Sequence, residues 1–302
     1  MKATSLIMLV LKAAVAAALL FLSTTILFGQ EKEKVEKLDK NVYKAEKVKN
    51  KEFCSGENWS NGDRVSFREL REMTLPDSAS LAVDGGRNGG IKVKGSQTSE
   101  IVVRACVQAW GMTEEAARAV ASNVKISTAG TVKADNGVSD ENWGVSYEIL
   151  VPRSTDLNLK AHNGGIAISS VEGRIEFETL NGGVSLMDVA GDVKGRTTNG
   201  GVNVMLAGNS WKGSGLDVIT TNGGVHLSMP ESYAANIETG TTNGGFRSDI
   251  PALNVTTEDV KGPDRHQRAT RLNTALNGGG APIRVITTNG GVNISAASKT
   301  VY

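Results

Sequence analysis

Thr197-Thr198-Asn199-Gly200-Gly201-Val202-Asn203-Val204 is the stretch on which the fold turns. Its second half alternates apolar and polar residues, the period of a strand with one buried face. Its centre, Asn-Gly-Gly, carries turn chemistry. The motif recurs, starting at Asn88, Asn163, Asn181, Asn199, Asn222, Asn243 and Asn289, with a variant at Asn277. From Asn163 the steps are 18, 18, 23, 21 and 46 residues. A sustained period near 20 is the signature of a stacked repeat. The last step equals two rungs of 23, which implies one rung that has lost its motif.

The flanks repeat as well. Paired threonines precede Asn199, Asn222, Asn243 and Asn289. After the second glycine come Ile166 and Ile168, Val184 and Leu186, Val202 and Val204, Val225 and Leu227, Val292 and Ile294, each pair separated by one residue. Before the turn, Leu157 and Leu159, Ile175 and Phe177, and Leu216 and Val218 alternate in the same way. Each rung therefore reads strand, Asn-Gly-Gly turn, strand, then a second turn such as Glu172-Gly173 or Ala190-Gly191.

Two geometries compete. Asn-Gly favours tight hairpins, because both central residues of a type I′ turn need positive φ. Successive hairpins would give an antiparallel β meander or sandwich. Stacked coils would instead give an all-β, parallel β-solenoid with rungs of about 18–23 residues. A hairpin needs a turn-forming pair, not the same string over and over. Stacking explains the sameness, since like side chains then lie about 4.8 Å apart and form Thr and Asn ladders. The solenoid is the expected fold, with the meander or sandwich as the alternative.

Outside the repeat, Lys2 and Lys12 flank the start of an apolar run from Ala13 to Phe28, followed by Gly29. This is the layout of an export signal. Residues 1–29 are expected to be a signal peptide, or a membrane anchor if uncleaved; the run of 16 residues is shorter than the ~20 that a spanning helix wants. Residues 30–52 form a charged linker, with 14 charges among the 22 residues 31–52. The remainder, 53–302, is expected to be one β domain, irregular over 53–152 and regular over 153–250 and 277–296. Thr113 with Glu114 and Glu115 opens a short helix through Ser122, placed to cover an open end of the stack. The segment Pro251 to Leu276, with two prolines and clustered charge, reads as a loop interrupting the coil.

The export signal, the Thr-Thr-Asn-Gly-Gly-Val repeats and the closing Pro282-Ile283-Arg284-Val285 segment resemble the putative adhesin domain family of bacterial cell-envelope proteins, over roughly Leu81 to Ser295. That family is catalogued mainly as a domain of unknown function. The resemblance implies a β-solenoid-like fold and an exported protein of the periplasm or cell surface. It supplies no catalytic residues and no cofactor.

Composition narrows the function classes. Among 302 residues, 33 Lys and Arg balance 32 Asp and Glu, so nothing points to nucleic acid. Three histidines and two cysteines are too few for a Cys/His zinc module. His162 directly precedes an Asn-Gly-Gly turn in place of Thr, and His226 points outward between Val225 and Leu227. Cys54 and Cys106, an even count in an exported protein, are expected to form a disulfide closing a 53-residue loop. Gly85 to Gly90 lacks the following Gly-Lys-Ser/Thr of a phosphate loop and reads as a turn. Trp143 and Trp211 are expected to plug ends and loops, with sugar stacking as the alternative.

The functional expectation is a non-catalytic binding or scaffold module whose partner is a glycan or an envelope protein. No metal or other cofactor is expected, and membrane contact is expected only through an uncleaved N-terminal segment. A carbohydrate-active enzyme is the first alternative, with Glu176 and Glu178 outward around Phe177 and with Ser185 and Asp188 one strand on. An envelope-stress or assembly component, acting through residues 31–52, is the second.

Overall fold

The computed structural model describes residues 53–55, 60–61, 64–137, 142–253 and 270–297. The expected signal peptide over 1–29 and the expected charged linker over 30–52 lie outside the described residues. The chain divides into two units, Met1–Gly56 and Glu57–Tyr302; every element below belongs to the second. Among the described residues no helix is long and apolar enough to cross a membrane.

The N-terminal part holds β1 (Ser60–Asn61), β2 (Arg64–Leu75), β3 (Ser80–Asp84), β4 (Ile91–Ser96), β5 (Ile101–Gly111), α1 (Glu114–Asn123), β6 (Lys125–Ser127), β7 (Thr131–Asp135) and β8 (Trp143–Pro152). The Thr113 side chain accepts from the Ala116 N–H and caps α1, as its sequence predicts. The helix packs on β2 and β5. Arg71 closes its C-terminal end by donating to the Ala121 and Val124 carbonyls.

The repeat then runs through β9 (Asp156–Ala161), β10 (Ile166–Ser169), β11 (Glu172–Thr179), β12 (Val184–Met187), β13 (Ala190–Asn199), β14 (Val202–Met205), β15 (Gly215–Asn222), β16 (Val225–Met229), β17 (Ala235–Asn243) and β18 (Phe246–Ser248). A 3-10 turn at Pro251–Leu253, β19 (Thr270–Leu276), β20 (Pro282–Asn289) and β21 (Val292–Ala296) complete the described chain.

These strands form two large mixed sheets, of eleven and ten strands, and no closed barrel. The strands flanking each Asn-Gly-Gly turn lie in different sheets, so the turn closes no hairpin. Each strand pairs in parallel with its counterpart one repeat on: Ile166 with Val184, Val184 with Val202, Val202 with Val225. On the other sheet Leu157 meets Ile175, Ile175 meets Val193 and Val193 meets Leu216. Antiparallel pairing is confined to the ends, at β1–β2–β5–β8, β6–β7 and β17–β19. The inward residues of both sheets share one apolar core, a two-layer arrangement like that of a sandwich.

Two expectations need correction. The 46-residue step does not contain a lost rung in sequence order. The β20–β21 rung lies between the β15–β16 rung and the β17–β18 rung, in both sheets. The chain leaves one strand position open after β16, and its C-terminal rung fills that position. The segment 251–276 is not all loop either, since β19 runs antiparallel along the edge of β17. The N-terminal end repeats the device, because β3–β4 lies between β7–β8 and β9–β10.

Candidate binding faces

The turn corner comes first. Asn163 donates its side-chain amide to Asn88, Asn181 to Asn163, Asn199 to Asn181, and Asn222 to Asn199, at 2.7–3.1 Å. The ladder continues from Asn289 to Asn222 and from Asn243 to Asn289, both at 2.8 Å. All seven asparagines picked from the sequence thus stand in one row, in the spatial order 88, 163, 181, 199, 222, 289, 243. The threonines behave differently from the expected ladder. The first of each pair is buried, and three of the four donate to the first glycine one rung away: Thr197 to the Gly182 carbonyl, Thr220 to Gly200 and Thr287 to Gly223. The hydroxyls therefore satisfy turn carbonyls that would otherwise be buried without a donor. His162 takes the second threonine position and is exposed.

The outer face of the ten-stranded sheet carries Glu176 and Glu178, together with a shallow depression of about 420 Å³. It is not an acidic patch. Along one row, Glu176, Lys194, Asp217, Arg284 and Glu238 are cross-strand neighbours, with sign alternating at each step. Along the next, Asp84, Lys160, Glu178 and Arg196 alternate likewise. Arg196 donates to Glu178 through Nε at 3.0 Å and Nη2 at 2.8 Å. Arg284, on the intercalated rung, bridges Asp217 at 2.7 Å and Glu238 at 3.2 Å. Burial works against the charged Arg284 guanidinium, but the two carboxylates outweigh it and raise its pKa. Ser185 lies on the other sheet, so it does not join the glutamates. Asp188 sits past the end of β12, where it takes a bond from Ser170 and pairs with Arg153.

The outer face of the eleven-stranded sheet begins with charge and then loses it. Glu72, Arg104, Glu148 and Lys92 form a bonded row across β2, β5, β8 and β4. Desolvation pushes the Glu148 carboxyl up, yet Lys92 and Arg104 hold it below its ordinary value. Beyond Lys92 the same row reads Ala167, Ser185, Asn203, His226 and Asn293, with no carboxylate, Lys or Arg until Arg247. The neighbouring row reads Ser169, Met187, Met205, Ser228 and Ser295. His226 points outward as expected, with Nε2 3.4 Å from Ser295 Oγ.

Of the remaining candidates, Trp143 and Trp211 are each 8% exposed, which leaves no ring face for sugar stacking. Trp211 donates to the Gly191 carbonyl. Gly85 to Gly90 forms the β3–β4 turn, with the Gly86 N–H on Asp84. Cys54 and Cys106 are both disulfide-bonded. Among the described residues no three His, Cys, Asp or Glu side chains gather as a metal site. The sequence reading missed the alternating charge rows. Their signal was present in the opposite signs of Glu176 and Lys194, equivalent residues one rung apart.

No family model and no curated protein matches the chain. Among the solved structures similar to it are two from bacteria. One is described as a putative cell adhesion protein from Clostridium sporogenes ATCC 15579, at 11% identity and a TM-score of 0.39, covering 76% of this chain and 100% of that one. The other is a putative adhesin from Bacteroides fragilis NCTC 9343, at 9% identity and a TM-score of 0.37, covering 76% of this chain and 97% of that one.

Proposed function

We propose that this chain is an exported envelope or cell-surface β-solenoid that works as a non-catalytic binding or scaffold module. The observation that carries this reading is the unbroken seven-asparagine ladder over in-register parallel strands. Such a stack offers the same short set of side chains at every rung, which suits many weak contacts with an extended partner such as a glycan or an envelope protein. The charge-paired glutamates favour a surface role over acid–base work, since each faces a cation on the next strand. The disulfide-bonded cysteines support export, because cytosolic thiols are kept reduced.

The test is co-sedimentation of the labelled full chain with bacterial envelope fragments, run beside an assay for release of reducing ends from the same material. Co-sedimentation without release is the expected result. Release that vanishes in Glu176→Gln or Glu178→Gln would make the protein a carbohydrate-active enzyme. Absence of co-sedimentation would end the binding reading.

A further inference from the structure

The C-terminal rung sits in a slot between two other rungs. β20 pairs with β15 on one side and β17 on the other, and β21 with β16 and β18. Inside the slot Ile283, Val285, Thr287, Val292 and Ile294 are buried. Arg284 reaches Asp217 and Glu238, Asn289 donates to Asn222 and accepts from Asn243, and Thr239 donates to the Val285 carbonyl. Without the rung, two rungs would face each other across a gap lined by unpaired strand edges, which take up a matching strand readily. None of these contacts is local: Asn289 lies 67 residues from Asn222 and 46 from Asn243. A second copy of the chain presents the same slot and offers every one of them.

The rung hangs on one short connection. β19 ends at Leu276 beside Ala235, on one flank of β17, and β20 starts at Pro282 beside Asn236, on the other. Asn277–Ala281 must therefore pass round the start of β17. Four successive residues there, Asn277, Gly278, Gly279 and Gly280, are left-handed, at φ 51°, 92°, 81° and 157°. Short hinges bent in this way invite exchange of the segment they carry. Opening the hinge gives up the donations of Asn277 to the Glu231 and Tyr233 carbonyls, of Asn236 to the Gly280 and Ala281 carbonyls, and of Gly279 to Leu276. The contacts of the rung itself are all recovered in the other copy.

We infer that residues 282–296 exchange between two copies of this chain, each rung completing the other's slot in a twofold dimer. The exchange is reciprocal, so it closes on itself and leaves no open filament. The occupant is a second copy because the slot asks for a specific pattern. It needs apolar residues at alternate positions, a Thr-Thr-Asn-Gly-Gly corner and a cation between Asp217 and Glu238, and residues 282–296 carry all three. What opposes exchange is the effective concentration of the tethered rung, about millimolar for a short linker, so the dimer belongs to concentrated protein. This inference does not rest on the binding-module reading; a dimer doubles whichever face binds.

The test refolds the full chain from urea, with its disulfide intact, over protein concentrations from low micromolar to about 1 mM. Light scattering is expected to show the dimer fraction rising at least tenfold across the series, and dimers that persist after dilution. Two charge variants then identify the exchanged segment. Asp217→Arg with Glu238→Arg sets three cations in the row of one chain, and Arg284→Glu sets three acids in that of another. A dimer of the two that exchanges rungs restores alternating sign in both halves. Co-refolding them, one isotopically labelled, is expected to give at least a tenfold excess of mixed dimer over either like dimer by native mass spectrometry. Deleting Gly278–Gly280 leaves a connection that reaches only about 10 Å, too short to pass round β17, and is expected to give dimer at every concentration. Wild-type chain that stays monomeric up to the highest concentration overturns the inference. So do dimers without an excess of the mixed form, and so does a folded monomer of the deletion variant. If the deletion variant fails to fold, the wild-type series and the mixed refolding decide.

Discussion

At the scale of single residues, repetition hides different roles under one letter. The first glycine of each turn is a packing requirement, whereas the second faces solvent. Gly182→Ala is expected to destabilise by about 1–3 kcal/mol, since its Cβ would run into the carbonyl oxygen of the first glycine one rung away, backbone that cannot move away. Gly183→Ala is expected to cost well under that; urea unfolding of the pair measures the difference. The threonines provide a second internal control. Thr220 is buried and donates to the Gly200 carbonyl at 2.7 Å, while the Thr241 hydroxyl is buried with no partner among the described residues. Thr220→Val is therefore expected to cost about 1–2 kcal/mol, and Thr241→Val to be neutral or stabilising. Equal losses at the two sites would show that the hydroxyl bond is not what the stack depends on. The turn asparagines, the buried valines and the N-cap at Thr113 were legible in the sequence, because alternation and turn chemistry act over a few residues. The Thr-to-glycine bonds were not, because donor and acceptor lie 15–64 residues apart in the chain.

At the scale of elements, the intercalated rung is the main departure from linear order. Asp217 and Glu238 are equivalent residues on sequential rungs, and stacked directly they would repel. Inserting β20 places Arg284 between them and completes the alternation of sign. Cross-strand charge pairs of this kind contribute modestly each, but they discriminate between registers. Arg284→Glu would set three acids side by side in a half-exposed row, and a loss of about 1–3 kcal/mol is expected in urea unfolding. Adding Glu238→Arg to that variant is expected to recover part of it. An uncorrected double variant would mean that the charge row does not help to place the rung. Step lengths alone suggested a missing rung, because arithmetic along the chain assumes that neighbours in sequence are neighbours in space.

At the scale of the Glu57–Tyr302 unit, one core is shared by both sheets, so its titratable members report on global unfolding. Tyr233 sits on the connection between β16 and β17, and burial lifts its phenol from 10.0 to about 12. Burial, and secondarily Asp84, raises the Tyr147 phenol too. The unfolded chain releases these protons from about pH 10, while the folded chain keeps them until the folded pKa is reached. Between those values the unfolded state binds fewer protons, so stability falls as pH rises. The stability contribution is complete below pH 10 and is lost toward pH 12. Thermal melts are expected to hold steady to about pH 9 and then decline. Tyr233→Phe is expected to flatten part of that decline, and an unchanged alkaline slope would assign the loss to other groups.

The sequence by itself determined the rung: strand, Asn-Gly-Gly corner, strand, with one side of each strand buried. Those features follow from side-chain periodicity and turn conformations, which are local. Only the tertiary structure decided the order in which rungs stack and the alternation of charge across them. The bonds that join Asn289 to Asn222 and to Asn243 span 67 and 46 residues. Identical corners are interchangeable as far as local chemistry is concerned, so the choice of neighbour rests with contacts that form only once the sheets are assembled.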